Sequence, residues 1–214
     1  MSKKLEEKQQ RRLAEERKRQ EAAQAARKRN LMTVGIAVLI GALVVALIIA
    51  NRPEDPGADF GVAADEAGCT EIETHEDEGR GHTEDVAEDV QYGTQPPTSG
   101  RHAGSTTDIG FHSEPVQEEL VVHNLEHGEV AVWYSPDAPA EVLDQLETYV
   151  NDAGIGMLAV PYDNVPDGYN FSLSAWGASQ SCEEVSGEVL AEFRERFQGK
   201  GPESVGIPPY EPES

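Results

Sequence analysis

Basic side chains are scarce over most of this chain. Of seventeen Lys and Arg, eleven fall in residues 1–30, six are spread over the rest, and Lys200 is the only lysine after that first stretch. Beyond residue 30 those six basic groups face thirty-five acids, a formal charge of −29, whereas the first thirty residues carry eleven basic and five acidic groups, a charge of +6. So acidic a surface repels nucleic acid and anionic lipid and draws cations or basic partners. Because the acids are scattered, their first meaning is solubility in a salty or cation-rich medium. Cysteine is nearly absent: Cys69 and Cys182 allow one intramolecular disulfide, one intermolecular bridge or a pair of thiol metal ligands.

Long apolar runs are also lacking, except for one. Leu31–Ala50 holds no charged residue, and twenty residues at a helical rise span about 30 Å, the thickness of a bilayer's hydrocarbon core. Arg27, Lys28 and Arg29 abut it on one side and only Arg52 lies close on the other. Positive residues resist translocation, so the expectation is a single-pass cell-membrane protein with a cytoplasmic N-terminus and an extracytoplasmic C-terminal domain. A cleaved signal peptide is the competing reading. The length of the basic and apolar regions and the lack of a small-residue cleavage site directly after them favour an anchor; with no Cys there, a lipid anchor is not expected. The expected partners are the lipid bilayer and another membrane or envelope protein.

Composition divides the chain into a helical basic tail (1–30), the membrane helix (31–50), a Pro/Gly/Ala/Asp-rich linker (51–68), an exported domain (69–205) and a tail (206–214). From Cys69 to Asp89 acids crowd out apolar residues, so order there must come from a disulfide or from ligation through a histidine. Leu120–Val122 and Glu129–Tyr134 read as strands, Pro139–Val150 as a helix with Asp137 available as a cap, Gly156–Pro161 and Phe171–Trp176 as strands, and Glu183–Phe197 as a helix. The order ββαββα predicts an α+β fold, a small mixed or antiparallel sheet with two helices on one face. Trp133 and Trp176 sit at strand period two with apolar neighbours and read as core.

Histidine is also sparse, yet it is concentrated in motifs. His123-Asn124-Leu125-Glu126-His127-Gly128 sets two imidazoles and a carboxylate within five residues, and imidazole suits zinc or copper while the carboxylate can ligate or orient. His-x-x-Glu-His is also the inverzincin order, which requires a helix. The flanking valines and the β-rich run after Gly128 argue against a helix here. Pro96-Pro97-Thr98-Ser99-Gly100-Arg101-His102 is a stiffened turn built to aim a side chain, either His102 toward His123 and His127 or the Ser99 hydroxyl. A serine in a turn is more often a backbone partner than a nucleophile. His82, His102, His123 and His127 with Glu126 form the candidate site for copper or zinc; His75 and His112 lie in no constrained motif.

Tyr92, the Pro-Pro-Thr-Ser-Gly-x-His turn, Val-His-Asn-Leu-Glu-His-Gly, the strand ending at Tyr134 and Ala175-Trp176-Gly177 together resemble a bacterial membrane-anchored family of unknown function, over about Cys69 to Glu203. The resemblance implies a single-helix protein with an exported domain and matches His82, His102, His123, Glu126 and His127. His112 falls where that family more often has an aromatic residue. No reaction follows from it. Three classes of function therefore stand: a metal-binding envelope protein in metal handling or in support of a membrane enzyme, a metal-dependent hydrolase, and a non-enzymatic assembly module with structural histidines.

Overall fold

The computed structural model describes residues 61–83, 90–204 and 206–211, together with positions 17, 18, 27, 33, 35 and 40–43 near the N-terminus. The chain divides into two units, Met1–Pro53 and Glu54–Ser214. Most of the expected membrane span lies outside the described residues; Ile40–Leu43 within it are helical, with Ile40 and Leu43 exposed. Among the described residues no helix is long and apolar enough to cross a membrane.

The larger unit is α+β. Its strands are β1 (Glu73–Thr74), β2 (Gly110–Phe111), β3 (Val130–Tyr134), β4 (Met157–Pro161), β5 (Phe171–Ala175) and β6 (Ala178–Cys182), and its helices are α1 (Glu118–Glu126), α2 (Ala140–Ala153) and α3 (Gly187–Phe197). One mixed sheet takes the order β1-β6-β5-β3-β4-β2. β3 and β4 are parallel, with Val132 opposite Ala159, and α2 is their crossover; β2 also runs parallel to β4. β5 is antiparallel to both β3 and β6, and β1 to β6.

Alternation along the central strands feeds two cores. Val130, Val132, Met157, Ala159 and Leu173 meet Leu146, Tyr149 and Val150 of α2 and Val189, Leu190 and Phe193 of α3. Ala131, Trp133, Leu158 and Val160 point the other way and meet Val121 and Leu125 of α1. Helices therefore cover both faces, not one, and among the described residues of this unit they number three rather than two. Trp133 is fully buried and donates its indole N–H to Ser174 Oγ at 2.7 Å.

α1 replaces the strand expected at Leu120–Val122. Glu118 and Glu119 occupy its first turn, where the helix dipole favours acids. Val121 and Leu125, one turn apart, bury a shared apolar stripe against the sheet, each worth roughly 1.5–3 kcal/mol. That tertiary gain outweighs the modest helix penalty of β-branched valine. Gly128 ends the helix in a left-handed conformation, φ 91°. α2 starts from Pro139 with no side-chain cap, so Asp137 does not fill that role; Ser186 caps α3 by accepting from Val189 N–H.

The acidic N-terminal part is ordered by long-range ties. Cys69 and Cys182 form a disulfide. The second half of the stretch expected as a linker docks: Ala67 is buried, and Ser186 Oγ accepts from Val62 N–H at 3.1 Å and donates to Val62 O at 2.6 Å. Near the other end Tyr210 is buried beneath the Arg194 guanidinium, 4.0 Å from the ring centre.

Candidate metal centre

Three chain segments meet at the end of α1. The helix brings His123 and Glu126, one turn apart on the face turned away from Val121 and Leu125. The proline turn brings His102. Its residues Pro96–Gly100 are buried, Thr98 O accepts from Gly177 N–H at 2.9 Å, and Gly100, at φ 122°, lies so close to the Tyr92 ring that a Cβ would meet it at 3.2 Å. The third segment brings His82, paired to the turn as a short parallel bridge in which His102 N–H donates to Gly81 O at 3.0 Å and Thr83 N–H to His102 O at 2.7 Å.

Ser99 is accounted for by the same architecture. Its hydroxyl is buried, accepts from Glu78 N–H at 3.0 Å and donates to Glu76 O at 3.4 Å. It pins the acidic segment to the turn and faces no histidine base.

One ligand atom from each of His82, His102, His123 and Glu126 lies within 4.8 Å of all the others. His102 and Glu126 are sealed, at 0% and 1% exposure, whereas the His82 side chain is 49% exposed. His102 Nε2 is 3.0 Å and His82 Nε2 3.8 Å from the same oxygen, Glu126 Oε2. The rings of His82, His102 and His123 stand about equally apart, at centroid distances of 5.0 to 5.1 Å, and Trp176 closes the inner wall edge-on to His102 at 5.9 Å. Trp176 sits in the β5–β6 turn and belongs to the site's wall as well as to the core.

Hydrogen bonding at the outer ring nitrogens settles what the inner ones offer. His102 Nδ1 is 2.7 Å from Gly100 O, His123 Nδ1 is 2.6 Å from Ala103 O, and His127 Nδ1 is 3.0 Å from Glu203 O. A carbonyl oxygen only accepts, so each Nδ1 carries a proton, and each ring in its neutral form presents a bare lone pair at Nε2. These lone pairs face other acceptors: His102 Nε2 faces the carboxylate, and His123 Nε2 faces His127 Nε2 at 2.8 Å. Glu126 Oε1 is buried with no hydrogen-bond partner among the described residues. Acceptors crowded on acceptors repel unless a cation, a metal ion or an added proton, sits among them. Backbone carbonyls holding the far nitrogens are the usual outer support of metal-ligating histidines. Burial pushes the His123 pKa down, reinforced by the neighbouring histidines and opposed by the Ala103 carbonyl, which keeps the ring in its ligating neutral form.

His127 caps the helix beside the four-residue set, not within it. His75 and His112 lie elsewhere, bonded to Ser179 Oγ and Asp108 O. Sequence reasoning missed the supporting residues. Asn124 clamps the loop, with Oδ1 accepting from Thr107 N–H at 3.0 Å and Nδ2 donating to Thr107 O at 3.1 Å, and it also donates to the buried Glu129 carboxylate. Asn124 lies inside the motif already singled out. Glu203 contributes through its backbone, which no side-chain pattern reveals.

The fold and site define a class: an α+β domain with a buried histidine and carboxylate cluster able to hold a metal ion. Residues 83–208 match the family described as Protein of unknown function (DUF3105), and the chain belongs to that family. No curated protein and no solved structure matches it.

Proposed function

We propose that this protein is a membrane-anchored, extracytoplasmic metal-binding protein whose site takes divalent zinc or copper through His82, His102, His123 and Glu126. The observation that carries the reading is the convergence of lone pairs: the Nδ1 atoms of His102 and His123 are committed to carbonyls, and their Nε2 atoms, with a buried carboxylate, turn inward. Three imidazoles and one carboxylate suit Zn(II) or Cu(II), while the softer Cu(I) prefers sulfur, and both cysteines here are bound to each other. The uncharged run Leu31–Ala50 and its basic flank support anchoring with the acidic domain outside, where a disulfide persists. Metal handling or support of a membrane enzyme is the role such a tethered site fits.

Metal analysis of the purified full-length chain after growth with zinc or copper tests this. One ion per chain, lost in His102→Ala and His123→Ala, is expected; a metal-free chain under replete conditions overturns it.

A hydrolase is the second reading. The helical setting of His123-x-x-Glu126-His127 favours it and removes the ground on which the sequence argued against the inverzincin pattern. Against it, Glu126 stands within the ligand set instead of behind it. Two surface grooves, one lined by Glu192 and Arg196 and the other by Glu141 and Asn170, contain none of these histidines.

A further inference from the structure

His127 has its Nδ1 held by a backbone carbonyl, as His102 and His123 have, yet stands outside the four-residue set. Its Nδ1 donates to Glu203 O, and that carbonyl belongs to a C-terminal strap pressed against the end of α1. Glu203 N–H donates to Glu126 O at 3.0 Å and Gly199 N–H to Gly128 O at 2.7 Å. At Gly201 a Cβ would fall 2.3 Å from Glu126 O, so the strap lies on the helix end with no room for a side chain. A histidine serving only as a helix cap would not need its ring fixed by a second segment.

The fixed ring aims Nε2 at His123 Nε2, 2.8 Å away, lone pair toward lone pair. Accessibility is graded across the cluster. His82 is half exposed and His127 partly exposed, His123 is 7% exposed, and His102 and Glu126 are sealed. His123 is therefore the hinge of two donor groups, the four-residue set with His82, His102 and Glu126 and an outer pair with His127. Its Nε2 has one lone pair, so it serves one ion at a time. An inner and an outer ion cannot both be held through it.

Resting on the metal-binding reading above, we infer that His127 is the entry and exit ligand of the site: an arriving divalent ion is first held by His127 and His123, then passes inward as His82, His102 and Glu126 replace His127, and departs by the reverse path. Every step exchanges one donor for another about a single ion, with no change of oxidation state.

Such a ligand controls rate, not equilibrium. The test uses the full-length chain and His127→Ala, with Co(II) uptake followed by its visible absorption and Zn(II) release followed with an excess of a coloured chelator. Uptake and release are both expected to slow by about tenfold or more in the variant, with the dissociation constant within about threefold of the parent and one ion bound. Affinity lowered by about a hundredfold with uptake unchanged would make His127 a permanent ligand and overturn the inference. Rates equal to those of the parent would make it a structural cap, with the same consequence. His102→Ala separates this from failure of the metal site itself: the parent must bind one ion and His102→Ala must not, whatever His127→Ala does. His127→Gln, which keeps a polar side chain to meet the Glu203 carbonyl, guards against misfolding, and it should slow exchange as the alanine does.

Discussion

Glu126→Gln separates a ligand carboxylate from a structural one, because the two roles change stability in opposite directions. The carboxylate is 1% exposed, one oxygen is unpartnered and the other lies 3.0 Å from His102 Nε2. Without metal it is a buried carboxyl group with one unpartnered oxygen, and replacing it with an amide of the same shape should leave the metal-free domain unchanged or slightly more stable. With metal the variant loses the one anionic donor. A loss of about a hundredfold in affinity follows from the usual cost of removing such a group, equivalent to about 2.7 kcal/mol. At a free metal concentration about a thousand times the parent's dissociation constant, the parent gains about 4 kcal/mol and the variant only about 1.4 kcal/mol. For a domain of this size that gap is about 5–11 °C in Tm. Thermal melts of both proteins, with chelator and then with zinc, read the result. An equal metal-induced shift in parent and variant refutes ligation by Glu126. A metal-free variant destabilised by about 3–5 kcal/mol would instead make the His102–Glu126 pair a structural ion pair.

Other perturbations give equally definite outcomes. His123 has its pKa lowered by burial, so below about pH 6.5 the unfolded chain takes a proton that the native site resists; stability present above that pH is lost on acidification, and urea melts in chelator should show a slope that flattens in His123→Gln. Cys69 and Cys182 are 113 residues apart, so Cys69→Ser with Cys182→Ser should cost about 4–5 kcal/mol of stability in denaturant titrations, whereas a loss below about 1 kcal/mol would place the order of the acidic segment elsewhere. Gly201→Ala drives a Cβ into the backbone of Glu126 and Gly128; a loss of about 1–3 kcal/mol is expected by thermal melting, with faster hydrogen exchange at the end of α1.

Much of this fold was legible because its core strands alternate plainly. Val130, Val132 and Trp133 announce β3, and the spacing of Leu146, Tyr149 and Val150 announces α2. β6 was hidden because Ser179, Gln180 and Ser181 carry no apolar signal; the strand exists because β5 offers it a complete ladder. β1 and β2 have two residues each, too short for any periodicity. The histidine motif was read on the wrong element for an instructive reason. Two adjacent valines favour a strand locally, while Val121 and Leu125 repay a helix only once Trp133 and Leu158 are in place beneath them. His102, His123 and Glu126 were singled out by their motifs, since short chemically dense segments need no tertiary knowledge, and His82 was added as one more histidine of the same domain. What holds them could not be found that way, because Gly100, Ala103 and Glu203 act through carbonyl oxygens that every residue possesses.

The strap from Gly199 to Ser204 gives the centre a direction in time. A chain emerging N-terminus first presents His82, His102 and His123 long before Glu203, so the inner donors can gather while the outer imidazole still swings free. Only when Gly199 to Ser204 arrives is His127 aimed. On the entry-ligand proposal, a chain clipped before Gly199 would keep the inner donors, leave the outer imidazole unaimed, and exchange its ion slowly.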